Sequence, residues 1–133
     1  MTPLRGFLLE AKRAGKPLVG ICFGHQIMAD TFGGRAEKVG FGMMVGAQAF
    51  EIEGAGMQAH VWHQDQVVVL PPDATITGQA PYCPMAVLKY DFPAFSVQFH
   101  PEYTADYLIE EITIATGSVL TPEAAATAIA SIQ

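Results

Sequence analysis

The chain has 133 residues, half of them hydrophobic and 15% charged, with a formal net charge of −6. That length supports one core, and the acidic balance disfavours nucleic acid and anionic membrane surfaces as partners. No apolar stretch reaches the ~18 residues a membrane-spanning helix needs, Arg5, Glu10, Lys12 and Arg13 interrupt any signal peptide, and two cysteines suit a reducing, cytoplasmic compartment better than a disulfide framework. In chain order, Thr2 and Pro3 read as N-cap and first helical position, with Leu4, Phe7, Leu8 and Ala11 at helical spacing. Gly15 and Pro17 end that helix, and Leu18-Val19 open a strand. A second helix is expected over Gly24 to Phe32, stopped by Gly33-Gly34. Short strands follow at 35–39, 45–52, 58–62, 67–70, 75–78, 86–90 and 94–99, with a Gly-Met loop over 40–46 and a turn at Pro71-Pro72-Asp73. A helix over 104–116 closes near Gly117, and Thr121-Pro122-Glu123 opens a last, Ala-rich helix. No linker or repeat divides the chain, so residues 1–133 are expected to form a single domain. The low charge fits strands covered on both faces.

Two motifs carry chemistry. Gly20-Ile21-Cys22-Phe23-Gly24-His25-Gln26 stands between the first strand and the second helix. It has the form of a nucleophile elbow, G-x-Nuc-x-G, with Cys22 as nucleophile. Glycines two residues either side are expected because side chains there would strike neighbouring backbone, and the helix N-terminus is expected to lower the thiol's pKa. A packed structural cysteine flanked by glycines would look the same. The second motif is Val97-Gln98-Phe99-His100-Pro101-Glu102. A strand ends at His100, and Pro101 fixes the angle to a carboxylate that can orient the imidazole. Ordinary capping of a following helix by Pro101 and Glu102 explains that stretch equally well.

Together the motifs resemble the class I glutamine amidotransferases, whose nucleophile lies in G-x-C-x-G-x-Q and whose His and Glu lie in Q-x-H-P-E. Gly20, Cys22, Gly24 and Gln26, then Gln98, His100, Pro101 and Glu102, carry the match. Trp62-His63-Gln64-Asp65-Gln66-Val67 is similar to the family's glutamine-pocket loop, and the wording is nearest to GMP-synthase-like stand-alone domains. The resemblance implies an α/β fold: a three-layer sandwich with a flavodoxin-like, mostly parallel sheet. It implies a Cys22–His100–Glu102 triad, one oxyanion donor from the Phe23 N–H, and substrate binding by Gln26, His63 and Gln64. The chain has neither a P-loop nor a dinucleotide fingerprint, so no cofactor is expected, and no metal site is expected either. The substrate would be L-glutamine or a γ-glutamyl compound, with ammonia passed to a synthetase or synthase partner. A γ-glutamyl peptide hydrolase with the same triad, or a non-catalytic binding fragment, are the alternatives.

Family members carry several tens of residues before the elbow. By that analogy the first strands and a Gly-rich loop with a second oxyanion N–H are expected to be absent, and Met1 is expected to be internal to a longer protein. A genuine short form, or a homodimer pairing through the exposed sheet edge, are the other readings. The remaining polar residues have plain expectations. Cys83 is a packed or loop thiol, and His25 sits at the surface or a pocket rim. His60 and His63 point to opposite faces of a strand and so do not chelate together. Asp65 bonds local backbone, and Met43-Met44 fills core or forms a lip.

Overall fold

The computed structural model describes residues 2–133; Met1, and with it the reading of that methionine as internal, lies outside the described residues. The elements are α1 (Pro3–Arg13), β1 (Leu18–Ile21), α2 (Phe23–Thr31), β2 (Arg35–Lys38), β3 (Met44–Ile52), β4 (Ala55–His63), β5 (Asp65–Val69), β6 (Ala74–Ala80), β7 (Cys83–Tyr90), β8 (Ala94–Val97), α3 (Ala105–Ala115) and α4 (Pro122–Ile132). Three helices start on the same chemistry. The Thr2, Thr104 and Thr121 hydroxyls accept from the N–H groups of Arg5, Tyr107 and Ala124, satisfying first-turn donors that no helix can satisfy itself.

Six strands form one sheet in the order β1-β8-β7-β6-β3-β4, and β2 pairs with β5 in a separate antiparallel ribbon. The α/β class expected from the sequence holds. The mostly parallel sheet implied by the resemblance is corrected: neighbouring strands β3–β4 and β6–β7 are joined by tight hairpins that force antiparallel pairing. Parallel pairing is confined to β1 and β8, where Leu18, Val19, Gly20 and Ile21 lie opposite Ala94, Phe95, Ser96 and Val97. Every other pairing in the six-stranded sheet is antiparallel.

Strand β4 begins earlier than its composition suggests. Glu53 (φ 50°) and Gly54 (φ 83°) both occupy the left-handed region, which makes a two-residue hairpin whose twist matches the strands. Ile52 therefore pairs with Ala55, and pairing runs unbroken to Met44–His63. Glu-Gly is a weaker turn signal than Asn-Gly or Asp-Gly, so 55–57 do not read as strand in the sequence.

One face of the sheet is covered by α1, α2 and the β2–β5 ribbon. Leu8, Met28, Ala29, Phe32, Val67, Leu88 and Tyr90 form the core there. At the other end α3 and α4 pack together and onto β3 and β4, with Leu108, Ile112, Leu120, Ala125 and Ala128 meeting Val45 and Trp62. Strand β1 closes the sheet as an edge strand, and Val19 is 61% exposed on it. Among the described residues no helix is long and apolar enough to cross a membrane.

Helix α4 is seated by a close approach. Gly46 (φ 117°) lies against α4, where an added Cβ would meet Ser131 Oγ and come within 3.0 Å of Ala128 O. Ser131 Oγ also accepts from Ala47 N at 2.9 Å. Gly46→Ala is therefore expected to cost about 2–3 kcal/mol, combining forbidden φ with overpacking. Gly56→Ala, with open space around its Cβ and no left-handed φ, should stay within about 0.5 kcal/mol of wild type. Urea midpoints of the two variants measure the difference.

Candidate active site

The parallel register of β1 and β8 delivers the two sequence motifs to one end of the sheet. Cys22 follows β1 directly, and its N–H continues the ladder by donating to Val97 O at 2.9 Å. It is also the residue before α2, with φ 53° and ψ −103°. A cysteine in that conformation is strained by roughly 1–3 kcal/mol. The strand-to-helix reversal leaves no side-chain cap on α2, so its first N–H groups stay available to the site. Gly20 is required by space. A Cβ there would come within 2.5 Å of Met28 Sδ and 2.8 Å of the Gly24 backbone. Gly24 is not required in that way, because its Cβ would meet open space.

Among the described residues the sulfur's partners are Trp62 O, to which the thiol donates at 3.7 Å, and Gln98 Nε2, which donates to it at 3.6 Å. Burial is the largest influence on the thiol and raises its pKa. The Phe23 N–H and the Gln98 amide oppose it, while the Glu102 charge adds to it. The helix N-terminus thus acts in the expected direction, but desolvation outweighs it, and the resting sulfur is a thiol.

His100 is held on three sides. Its N–H donates to His60 O at 2.9 Å, its ring stacks on Tyr103 with centroids 4.0 Å apart and planes 1° apart, and its Nδ1 bonds Glu102 Oε2 at 2.8 Å. An ionised carboxylate can only accept, so Nδ1 carries the proton and Nε2 keeps a basic lone pair. Glu102 is 52% exposed and holds the ring from the solvent side. His100 is not hydrogen-bonded to the sulfur. The Glu102 charge nevertheless acts on both the Cys22 thiol and the Tyr103 hydroxyl, which places these groups in one electrostatic neighbourhood.

The third segment joins them at the β4–β5 junction. Trp62 presents its carbonyl to the sulfur. His63 Nδ1 donates to Asp65 O at 2.9 Å and its Nε2 accepts from Tyr82 Oη at 3.0 Å, in a buried position that lowers its pKa. Gln64 O accepts from Val39 N. Gln26 turns inward, its Nε2 donating to Asp65 O at 2.9 Å and to Gln98 Oε1 at 3.1 Å. Phe23 opens α2 and is 62% exposed. An open groove of about 800 Å³ over Phe50, Ile76 and Pro81 contains none of these residues.

His25 corrects the sequence reading. It is fully buried rather than at a rim, with Nε2 donating to Met85 O at 2.9 Å and Nδ1 accepting from Ser96 Oγ at 2.7 Å. Its spacing from Met28 and Ala29 marks the sheet-facing side of α2, a signal its polarity masked. Cys83 is a packed thiol, 1% exposed, with burial pushing its pKa up to about 12. Sequence reasoning assigned no role to Gln98 or Tyr103, which touch the sulfur and the imidazole.

A family model described as "Glutamine amidotransferase class-I" matches residues 5–112. The chain belongs to the class I glutamine amidotransferase family. It is 38% identical over 98 residues to a glutamine-hydrolyzing GMP synthase subunit from Pyrococcus abyssi, covering 65% of this chain and 50% of that one. It is 37% identical over 97 residues to the glutamine-hydrolyzing GMP synthase of Thermobifida fusca, covering 66% and 18%. The chain spans about half the length of the curated Pyrococcus abyssi relative. A crystal structure of a glutamine amidotransferase from Thermotoga maritima has the same fold, with a TM-score of 0.82 at 19% identity over 98% of this chain and 60% of that one. A glutamine amidotransferase from Methylobacillus flagellatus gives 0.74 at 19% identity over 97% and 62%.

Two side chains of this amidotransferase domain give measurable outcomes. Burial lowers the pKa of His25 from 6.5 to about 4, so the unfolded chain binds that proton more tightly. The stability His25 contributes is complete above about pH 6.5 and lost as pH falls towards 4, by on the order of 3 kcal/mol. Urea midpoints from pH 7 to pH 4 should fall less steeply in His25→Gln. Tyr103→Ala should move the His100 ring proton resonances downfield by removing the stacked ring, while Tyr103→Phe leaves them near wild type.

Proposed function

We propose that this chain hydrolyses the side-chain amide of glutamine through a Cys22 thioester, with His100 and Glu102 completing a catalytic triad. The observation that carries the reading is the β1–β8 register. It supports the reading by bringing a strained cysteine at a strand–helix reversal, the form expected of a nucleophile elbow, beside the strand that leads to an imidazole held by a carboxylate. The family supplies the substrate class, and the relatives from Pyrococcus abyssi and Thermobifida fusca carry "glutamine-hydrolyzing" in their names.

Because burial keeps the resting thiol protonated, the reaction needs a base. His100 Nε2 takes the proton as the sulfur leaves Trp62 O and attacks the amide carbon. The Phe23 N–H receives the oxyanion. Collapse of the tetrahedral adduct returns the His100 proton to the departing nitrogen, releasing ammonia and leaving the γ-glutamyl thioester. His100 then draws a proton from water, hydroxide adds to the thioester carbon, and glutamate leaves as the proton returns to the sulfur. Gln26, His63 and Gln64 border the position where the amino-acid end of the substrate would lie. Ammonia made here would serve a synthetase or synthase partner in a reducing, cytoplasmic setting, consistent with two free thiols.

The test is ammonia and glutamate release from L-glutamine. Cys22→Ala should abolish it, and His100→Ala should lower it by about 100- to 10,000-fold. Glu102→Gln should cost about tenfold, because a half-exposed carboxylate orients a ring that Tyr103 also holds. Turnover surviving Cys22→Ala would end the thioester mechanism. Preference for a γ-glutamyl dipeptide over glutamine would reassign the substrate with the triad intact.

A further inference from the structure

Gln98 is fully buried, and the mechanism above gives it nothing to do. A buried primary amide presents either a donor or an acceptor at each end, and which end faces the sulfur decides what the sulfur feels. The orientation can be traced from a group that has no choice. Asp65 O is a backbone carbonyl and can only accept, so Gln26 must turn its Nε2 towards it. The second proton on that nitrogen then meets Gln98 at 3.1 Å, which must present Oε1. That leaves Gln98 Nε2 at the Cys22 sulfur, 3.6 Å away. His63 Nδ1 donates to the same Asp65 carbonyl and fixes it in place.

We propose that Gln98 is a catalytic residue that holds a hydrogen-bond donor on the Cys22 sulfur, and that Gln26 is the positioning residue that sets its polarity. The relay links all three sequence motifs: Asp65 from the pocket-like loop, Gln26 from the elbow helix, Gln98 from the strand that leads to His100. Its chemical effect is selective. A donor at 3.6 Å gains little from a neutral thiol but much more from the thiolate formed when His100 takes the proton. In a buried site, where desolvation opposes ionisation, such a donor offsets part of the cost. It also anchors the sulfur while the thiol proton changes partner from Trp62 O to the base.

This role rests on Cys22 being the nucleophile, but it can be read without substrate. The rate of iodoacetamide alkylation at Cys22, followed by peptide mass spectrometry across neutral to alkaline pH, reports the thiolate directly. Cys83, packed at 1% exposure, does not compete. Gln98→Met keeps the volume and removes the donor. Its alkylation midpoint should rise by roughly one pH unit, a tenfold loss of thiolate at neutral pH. Gln98→Glu should rise further, since a carboxylate replaces the donor. Gln26→Met should move the midpoint in the same direction by releasing the Gln98 amide to turn its oxygen to the sulfur. It also decides the question if Gln98→Met does not fold. A purely structural role would lower the melting temperature of these variants and leave the midpoint where it is, and that result would overturn the proposal. Turnover persisting in Cys22→Ala alongside a shifted midpoint would instead remove the thioester mechanism, and with it the catalytic role of Gln98, leaving only the hydrogen-bond relay to the sulfur.

Discussion

The parallel pairing of β1 with β8 is the constraint on which the site depends. Strands that run the same way end on the same side, so residues that follow each strand meet although 76 positions separate Cys22 from Gln98. The Cys22 N–H to Val97 O bond extends the ladder one step past β1 and pins the reversal into α2. An antiparallel arrangement of the same two strands would place Cys22 and His100 at opposite ends. The remaining antiparallel strands serve this pair: β7 backs β8, and β4 brings His60 alongside His100 and Trp62 over the sulfur.

Electrostatics in the site is governed by how much water each group has lost. His25 and His63 are buried with both nitrogens engaged by uncharged partners, which holds them neutral. His100 differs in its partner: a carboxylate, not a neutral group, engages its Nδ1 and leaves Nε2 without a protein hydrogen bond among the described residues. Cys22 shares the buried side, and burial raises its pKa so that the sulfur rests protonated.

Much of the fold could be read locally. The three threonine caps and their following proline or acidic residue are short-range signals, and α1, α3 and α4 start where those signals stand. The motif residues Cys22, His100 and Glu102 were legible because their spacing to glycine and proline is itself short-range. What escaped was either unusual or distant. The Glu53-Gly54 hairpin uses a residue that seldom adopts left-handed φ, so the start of β4 gave no warning. His25 looked polar and therefore peripheral, yet Ser96 and Met85, some sixty to seventy residues away, supply both its partners. The direction of the Cys22 pKa turned on burial, which no local pattern encodes. Gln98 stood inside a recognised motif, but its contact with sulfur exists only once two strands have paired.

The backbone at Cys22 has a meaning for how this sequence could drift. Its left-handed φ is one that glycine adopts freely and cysteine does not. A chain kept only for its shape would gain stability by trading that cysteine for glycine, and a single substitution would suffice. Holding a sulfur there is a standing cost to the fold, and on the proposed mechanism it is the thiol's chemistry, not the packing of the domain, that this cost serves.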